Sequence, residues 1–543
     1  MITGRTKEVS NPMVTQNVDS RQNVDTSSDA AGNHSPRPPR VIIVGGGLAG
    51  LAAAASLVEA GLIERGFQVT LLEGRRSCGG RAACFEDPLT GGLVDACQHV
   101  AMGCCTNFIA LCRQAGIVAS LRRDRTLWFI SPTGVRSACT PSCWLPAPLH
   151  MAPLLLGMRH FSWREKLSLA LGMFTLARHC RAPKNKSEPL LQARDANNQS
   201  DIPTALSWLQ AIGQSERVIS LFWQPVLESS LGESIDLVSV SAARKVVVDG
   251  FLAHRKAADL YVPTQPLGQL FGDQLVAWLK RSGVSVETGR TVTGIGRSDS
   301  GRATGVICGS VTFDCDCVIV ALPWKQTARL LPDLVPVATE HLAGSPITAV
   351  HLWFDRPVID LPHAVLVGRV SQWVFSADDA ASSGSQQFDA RGYCQVVISA
   401  SRGLLGGDRG RLLDTVVAEL RDIFPPAREA TLLGSRIVTD PTAVLSVRPG
   451  VDAVRPAAVT HLSNLFLAGD WTATGWPSTM EGAVRSGRLA AQAAFGPSLQ
   501  GLSAMGARPH RWLAPDLQKN WLVRVLVNEP QGPTNPTEPV ELV

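Results

Sequence analysis

No uninterrupted apolar run in the 543 residues reaches the ~18–20 that a membrane-spanning helix needs. Charge of one sign is also scarce. The net charge is +5 and no basic run of the kind that tracks phosphates occurs, so nucleic acid is not an expected partner. The 13 cysteines, an odd number, contain no CxxC pair. Cys97, Cys104, Cys105 and Cys112 cluster, but their spacings do not fit a metal site and none is expected. No apolar h-region of a secretory signal precedes them. Disulfides are therefore not expected, and the thiols read as small buried hydrophobes of a cytoplasmic protein. Tyrosine is reduced to Tyr261 and Tyr393, against 13 tryptophans.

The length calls for two or more domains. With 45% hydrophobic and 18% charged residues the chain is foldable and at the apolar end of ordinary. A mean hydropathy of +0.09 points to more apolar surface than a cytosolic enzyme usually shows. Residues 1–39, rich in Asn, Ser, Asp and Arg, read as a disordered extension, and the proline-bearing residues from Asn528 as a tail. The most apolar region runs from Cys143 to Cys180. Pro146, Pro148 and Pro153 interrupt its first part, and Arg164, Glu165 and Lys166 its second. Short apolar helices remain, with two readings: domain core, or a peripheral contact at the membrane inner face that also admits a greasy substrate.

Val41-Ile42-Ile43-Val44 suits a parallel strand buried on both faces. Gly45 to Gly50 makes a turn, Leu51 to Ala60 a helix, and Gln68 to Glu73 the next strand, which together form a βαβ unit. Further on, 204–232 reads as helix with a kink or break at Pro225, and 268–282 as helix ending near Gly283. Val284–Glu287 and Thr291–Ile295 read as strands, Val306–Ile307 and Val311–Phe313 as a hairpin, and Cys317–Pro323 as a buried strand. Alternation over 346–375 predicts antiparallel strands. Leu412–Phe424 is amphipathic helix, and Leu465–Ala468 a last buried strand.

Gly45-Gly46-Gly47-Leu48-Ala49-Gly50 fits G-x-G-x-x-G between a strand and an alanine-rich helix, the context a dinucleotide site requires. Gly45 permits the tight turn, Gly47 a close approach of pyrophosphate, and Gly50 tight packing of helix on strand. The free N–H groups of Leu48 and Ala49 and the helix dipole face the phosphates. Glu73, ending the second strand, suits an unphosphorylated ribose. Gly79-Gly80-Arg81 follows, with glycines for close backbone approach and a forked cation for anionic oxygens.

This Gly-Gly-Arg segment resembles that of the amine oxidase and phytoene desaturase superfamily of flavoproteins. So does the closing stretch Gly469-Asp470 through Trp476, Met480, Glu481 and Ala483. The resemblance implies FAD. Gly80 runs past the pyrophosphate and Arg81 neutralises it, while Asp470 after Gly469 binds ribityl or pyrophosphate oxygens. The helix start at Met480, Glu481 and Ala483 meets the flavin pyrimidine edge, and Val292 lies on a strand that meets the adenine. The implied fold is α/β: a three-layer Rossmann-like FAD-binding domain with a central parallel sheet, plus an α+β substrate domain with an antiparallel sheet and a helical subregion. On this reading 40–120, 261–330 and 451–500 build the FAD-binding domain, 121–260 and 331–450 the substrate domain, and 501–543 a C-terminal tail.

Val94-Asp95-Ala96-Cys97-Gln98-His99-Val100 and the following Gly103 to Phe108 resemble, more narrowly, the squalene-associated desaturases, which are hydroxysqualene dehydroxylases. Leu145–His150 and Phe222–Pro225 are similar to theirs too. The chain departs at Ala96-Cys97, where a glycine is expected before Gln98, and at Cys105, where a tyrosine is. The resemblance implies reductive dehydroxylation of hydroxysqualene to squalene, with an apolar isoprenoid substrate and a flavin hydride. A proton donor is then needed. Asp95 and His99 are the candidates, although Asp95 as a turn cap and His99 as a satisfied core histidine stay open. Gln98 and Trp476 are candidate substrate contacts, and a core role for Trp476 stays open. No second nucleotide motif marks the electron donor. The alternatives are a carotenoid desaturase and an amine oxidase, the latter disfavoured because such enzymes often frame the amine with tyrosine. A binding protein that holds FAD structurally is disfavoured by the paired flavin motifs.

Overall fold

The computed structural model describes residues 37–88, 91–179, 202–334, 342–376, 390–503 and 510–527, and the unit from Pro39 onward carries the fold. The expected N-terminal extension, apart from its last residues, and the tail from Asn528 lie outside the described residues.

Val41 to Val44 is apolar on every residue because it is the middle of a parallel sheet. Strand β1 (Arg40–Val44) leads into helix α1 (Leu48–Glu59) and strand β2 (Gln68–Glu73). Ser285–Thr288 (β3), Cys317–Val320 (β4) and Leu465–Leu467 (β5) complete the order β3-β2-β1-β4-β5, all parallel. Val41 and Ile43 point to one face, where Leu48 to Leu57 of α1 are all buried. Helix Met480–Ser503 (α3) packs on α1 and on helix Thr106–Gln114 (α2), whose Gln114 side chain donates to the Ala55 carbonyl of α1. The crossing is tight at Gly487, where a Cβ would fall 2.1 Å from the Ala49 carbonyl oxygen. Ile42 and Val44 point to the other face, which a three-stranded sheet of Gly294–Arg297, Ala303–Cys308 and Val311–Asp314 covers together with Trp324 and Trp471.

Beyond the strand ends the ladder continues. Gly45 N–H donates to Leu72, Ala321 N–H to Val44 and Ala468 N–H to Val320, each at 2.8 Å. The first glycine turn and the closing Gly469-Asp470 segment thus leave the sheet at the same carboxyl edge, the place where open α/β sheets bind ligands.

The second sheet has seven strands in the order Leu432–Leu445, Gly344–Phe354, Tyr393–Ile398, Trp373–Ser376, His363–Leu366, Leu127–Ile130 and Arg136–Cys139. It is antiparallel as expected, except that His363–Leu366 pairs in parallel with Leu127–Ile130. Helix Arg409–Ile423, capped by Asp408, covers one face. Short helices gathered around Phe222, Trp223 and Leu227 pack beyond the other.

Three expectations change in detail. The helix over 204–232 is broken, and Ile219–Trp223 widens to a π-helical turn just before Pro225, which has no N–H to donate. Thr291-Val292-Thr293 is not a strand: pairing begins at Gly294, and only Thr293 N–H bonds ahead of it, to Ile307. Residues 510–527 do not trail away as a tail. Trp512 and Val523 are buried, and helix Trp521–Leu526 lies against helix Trp163–Arg178.

The apolar region beyond Cys143 forms short helices, as expected. Trp163–Arg178 opens with a Ser162/Glu165 capping box and turns Lys166, Leu169, Gly172 and Leu176 inward. Its opposite stripe of Trp163, Leu167, Leu171 and Phe174 is exposed, Trp163 by 73% and Leu167 by 62%. Among the described residues no helix is long and apolar enough to cross a membrane.

Asp95 ends the short strand Leu93–Asp95, and its carboxylate accepts the Leu267 N–H at 2.8 Å. Burial pushes this carboxyl up to about 7, against the lowering effect of that hydrogen bond. The folded chain therefore keeps a proton that the unfolded chain loses near pH 4. Unfolding releases it between about pH 4 and pH 7, so this group's contribution to stability falls as pH rises through that window and stays low above it. Asp95→Asn retains an oxygen for Leu267 and has nothing to ionise. It is expected to melt with the wild type below pH 4 and roughly 2–4 °C above it at pH 8, read by calorimetry across the range.

Candidate active site

A cleft of about 810 Å³ runs along the carboxyl edge of the parallel sheet and receives residues from both ends of the sequence. Gly45 has φ +107°, and a Cβ there would stand 2.7 Å from the Ala321 carbonyl oxygen. Gly50 is tighter still, because a Cβ would fall 1.9 Å from the oxygen of Gly45. Both glycines answer to the protein's own packing. Gly47 does not: a Cβ there would meet only the Gly80 Cα, at 3.8 Å. The space it leaves open belongs to the cleft. The first bond within α1 is Leu51 N–H to Gly47, so the helix itself uses none of the N–H groups of Leu48, Ala49 or Gly50. An anion fits there.

Glu73 lines the cleft, and each of its oxygens already accepts one backbone N–H, from Gly46 at 2.6 Å and from Arg75 at 2.8 Å. These bonds fix the carboxylate and leave lone pairs for ribose hydroxyls. Val292 reaches the wall from an irregular segment rather than from a strand.

Arg81 and Asp470 also line the cleft, but chiefly they hold each other. An Arg81 Nη lies 2.6 Å from Asp470 Oδ1, the other Nη donates to Ala443 O at 2.7 Å, and Ser478 donates to the second Asp470 oxygen. Burial lowers the Arg81 guanidinium, but Asp470 beside it outweighs this and holds it above its ordinary value. The two residues, expected on phosphate and on ribityl oxygens, thus also form a clasp between their two segments at the cleft wall. Gly469 N–H donates to Ser486 Oγ, which ties this turn to α3.

At the start of α3, Met480 and Ala483 line the cleft, as expected of residues at a flavin edge. Glu481 does not. Its carboxylate turns into the N-terminus of α2 and accepts the N–H groups of Asn107 at 3.2 Å and Phe108 at 2.8 Å, with Arg485 at 3.3 Å. Orphan N–H groups at a helix start attract a carboxylate, and Glu481 lies in the wall of the neighbouring chamber rather than of the cleft. Burial raises the Glu481 carboxyl even so.

The branch-specific segment supplies the next stretch of wall, Ala96 to Val100. Asp95 is outside it, because its carboxylate is spent on Leu267; it shapes the segment and does not face the cleft. His99 does reach the wall. Its Nδ1 sits 2.8 Å from the Cys97 carbonyl oxygen, so Nδ1 carries the hydrogen and Nε2 is the acceptor. Burial, with Arg81 adding to it, lowers the His99 pKa below its ordinary value. With Nδ1 bound to Cys97, Nε2 is the ring nitrogen left for another partner. Gln98 lines the cleft, and its backbone N–H donates to the Gln395 side chain at 2.5 Å. Gln395 comes from a distant strand, and nothing near it in the sequence signals the contact.

A second chamber of about 210 Å³ adjoins the cleft and shares Gln98, Val100, Thr479 and Met480 with it. Met102, Leu260, Trp373 and Phe375 make it mainly apolar. Trp476 stands in its wall, its ring between the Lys245 ammonium at 4.3 Å and the Arg485 guanidinium at 5.4 Å. Lys245 pairs with Asp249 at 2.8 Å. Sequence reasoning missed both, since a Lys-x-x-x-Asp step on a helix usually marks a solvated face.

Gly47→Val puts a branched side chain into the space kept open for pyrophosphate. Asp470→Ala breaks the clasp and leaves Arg81 without its carboxylate. Each is expected to lose most of the bound FAD, measured as the ratio of absorbance near the flavin band to protein absorbance after gel filtration. Full flavin content in both variants would refute this site.

The chain matches a family profile described as "Flavin containing amine oxidoreductase" over residues 48–494. It is 24% identical over 478 residues to a 15-cis-phytoene desaturase of Solanum lycopersicum, covering 84% of this chain and 78% of that one. Over 477 residues it is 25% identical to the 15-cis-phytoene desaturase of Synechococcus elongatus, covering 84% and 95%. Among solved structures, an oxidoreductase from Methanosarcina mazei superposes with TM-score 0.60 at 16% identity, over 86% of this chain and all of that one. Cyclohexylamine oxidase from Brevibacterium oxydans does so with TM-score 0.60 at 17% identity, over 85% and 100%. The structures speak to the fold alone. With the match running from the start of α1 through most of α3, the chain belongs to the flavin-containing amine oxidoreductase family, and its cofactor is FAD.

Proposed function

We propose that this flavoprotein acts on a long apolar isoprenoid, and that its reaction is the reductive removal of the hydroxyl of hydroxysqualene to give squalene. The observation that carries the reading is the position of one segment. The residues that resemble the hydroxysqualene dehydroxylases, Ala96 to Val100, form wall where the FAD cleft meets the apolar chamber. The bound reduced flavin would supply hydride. The chain's own part is to desolvate and orient a greasy substrate between Val100, Met102, Leu260 and Phe375.

A carotenoid desaturase is the second reading. It is favoured by the phytoene desaturases among the relatives, whose substrate is likewise an apolar isoprenoid. An amine substrate has less support. Neither Tyr261 nor Tyr393 lines the cleft or the chamber; Tyr393 is held instead by His351 and Gln395.

The reading extends to a peripheral contact with a membrane. Trp163, Leu167, Leu171 and Phe174 form one exposed stripe, and Trp521 and Val525 of the neighbouring short helix are exposed as well. Arg159, Arg164 and Arg178 are exposed on or beside this helix, whereas its one acid, Glu165, is engaged by Ser162 and Arg217. An apolar stripe bordered by cations suits the interface of an anionic bilayer.

Anaerobically reduced holoenzyme mixed with hydroxysqualene is expected to give squalene, identified by mass spectrometry. Turnover of phytoene by oxidised enzyme, with no squalene formed, would move the chain to the desaturase reading. In flotation assays, binding to vesicles of anionic phospholipid is expected to drop at least fivefold in Leu167→Glu/Leu171→Glu, with FAD content retained. Equal flotation of variant and wild type would remove the membrane contact.

A further inference from the structure

Three charged residues line the apolar chamber: Glu481, whose carboxylate is held by the start of α2 and by Arg485, and Lys245 and Asp249, which need another explanation. Lys245 ends helix Val240–Lys245, and Asp249 lies one turn on, in the π-helical Val246–Leu252. Their side chains are only 18% and 28% exposed. The ammonium is fixed from two sides, by the Asp249 carboxylate at 2.8 Å and by the Trp476 ring face at 4.3 Å. Trp476 is itself immobilised, since its carbonyl accepts from the buried Arg455 at 2.7 Å and its N–H donates to Thr474 at 3.1 Å. Lys519 approaches Asp249 from outside at 3.8 Å.

This arrangement does not suit a pure hydrocarbon. An all-carbon ligand filling the chamber would strip water from Lys245 and Asp249 and return no hydrogen bond. A ligand carrying a hydroxyl oxygen at that point would accept from the ammonium, and a charge-assisted bond in an apolar setting is among the stronger ones. Asp249 and Trp476 occupy two sides of the ammonium, and the chamber takes in Lys245 beside Val246 and Gly250. His99 lines the cleft and not the chamber, with its Nδ1 bound to the Cys97 carbonyl oxygen.

We infer that Lys245, braced by Asp249 and Trp476, is the group that receives the substrate's oxygen and so selects an oxygen-bearing isoprenoid over the matching hydrocarbon. The inference rests on the isoprenoid reading of the site. The test uses the oxidised holoenzyme, titrated with hydroxysqualene and with squalene, and reads ligand-induced changes in the flavin spectrum. The wild type is expected to bind hydroxysqualene about tenfold more tightly than squalene, the size of one charge-assisted hydrogen bond. Lys245→Met, which keeps the aliphatic stem, is expected to abolish the preference while leaving squalene affinity within about twofold of wild type. Should that variant not retain FAD, Asp249→Asn is expected to cut the preference at least threefold by the same readout.

Equal affinity of the wild type for the two ligands, or an undiminished preference in Lys245→Met, would overturn the role of Lys245 and leave the isoprenoid reading standing. A flavin spectrum that responds to neither ligand would overturn both.

Discussion

The ion pair between Arg81 and Asp470 is the constraint on which the cofactor cleft depends. It joins the Gly-Gly-Arg segment after β2 to the turn after β5, and through Ser478 and Ser486 it reaches the start of α3. A cleft that must hold one extended dinucleotide from two distant stretches of chain needs those stretches fixed before the ligand arrives. Parallel pairing brings β1, β4 and β5 side by side, but it leaves the turns beyond them free to splay. The clasp removes that freedom, and Arg455 finishes the work by donating to the carbonyls of Asp470, Trp471 and Trp476 within one loop. The Trp476 ring is therefore held by the same framework that shapes the FAD cleft.

Burial sorts the ionisable groups around the site into three kinds. Carboxyls away from a cation are pushed up: Asp95 and Glu228 to about 7. His99 is pushed down, and its hydrogen is committed to Cys97. Ion pairs fix a third kind in place, as in the Arg81–Asp470 and Lys245–Asp249 pairs, of which the second lines the chamber. Asp95 does not line the cleft, and His99 lines it with its Nδ1 bound to the Cys97 carbonyl oxygen.

The glycine turn was legible in the sequence because its logic is local. Gly45, Gly47 and Gly50 recur at fixed spacing within one strand, turn and helix, and Glu73 follows at the end of the next strand. The alternation and apolar runs that gave the two sheets are likewise local. What could not be read were contacts made across the fold. Glu481 stands in a flavin motif, yet its carboxylate answers to the free N–H groups of α2, and no spacing rule reveals which helix start lies nearby. Gln395 supports Gln98 from the second sheet. Val292 was legible as cleft wall but not as irregular backbone, since β-branched residues at Thr291-Val292-Thr293 carry the same pattern whether paired or not. Residues 510–527 looked like a tail for want of a long apolar run, and a few side chains such as Trp512 and Val523 suffice to seat them.

The π-helical segment Val246–Leu252 connects the two apolar features of the molecule. Val246 and Gly250 face the chamber, while Val247 and Val248 are buried among the helices that include Trp163–Arg178, against which this segment packs. The exposed stripe of Trp163, Leu167, Leu171 and Phe174 and the substrate chamber are therefore separated by little more than one helix layer. On the proposed reading, an isoprenoid that dissolves in lipid and scarcely in water would enter such a chamber most directly from a bilayer lying against the stripe, because the route through water would expose its whole length. The segment on that route is π-helical, a geometry that recurs at functional sites. Lys245 precedes this segment and Asp249 lies within it, so on the proposed reading the residues between the exposed stripe and the chamber would also meet an oxygen carried by the substrate.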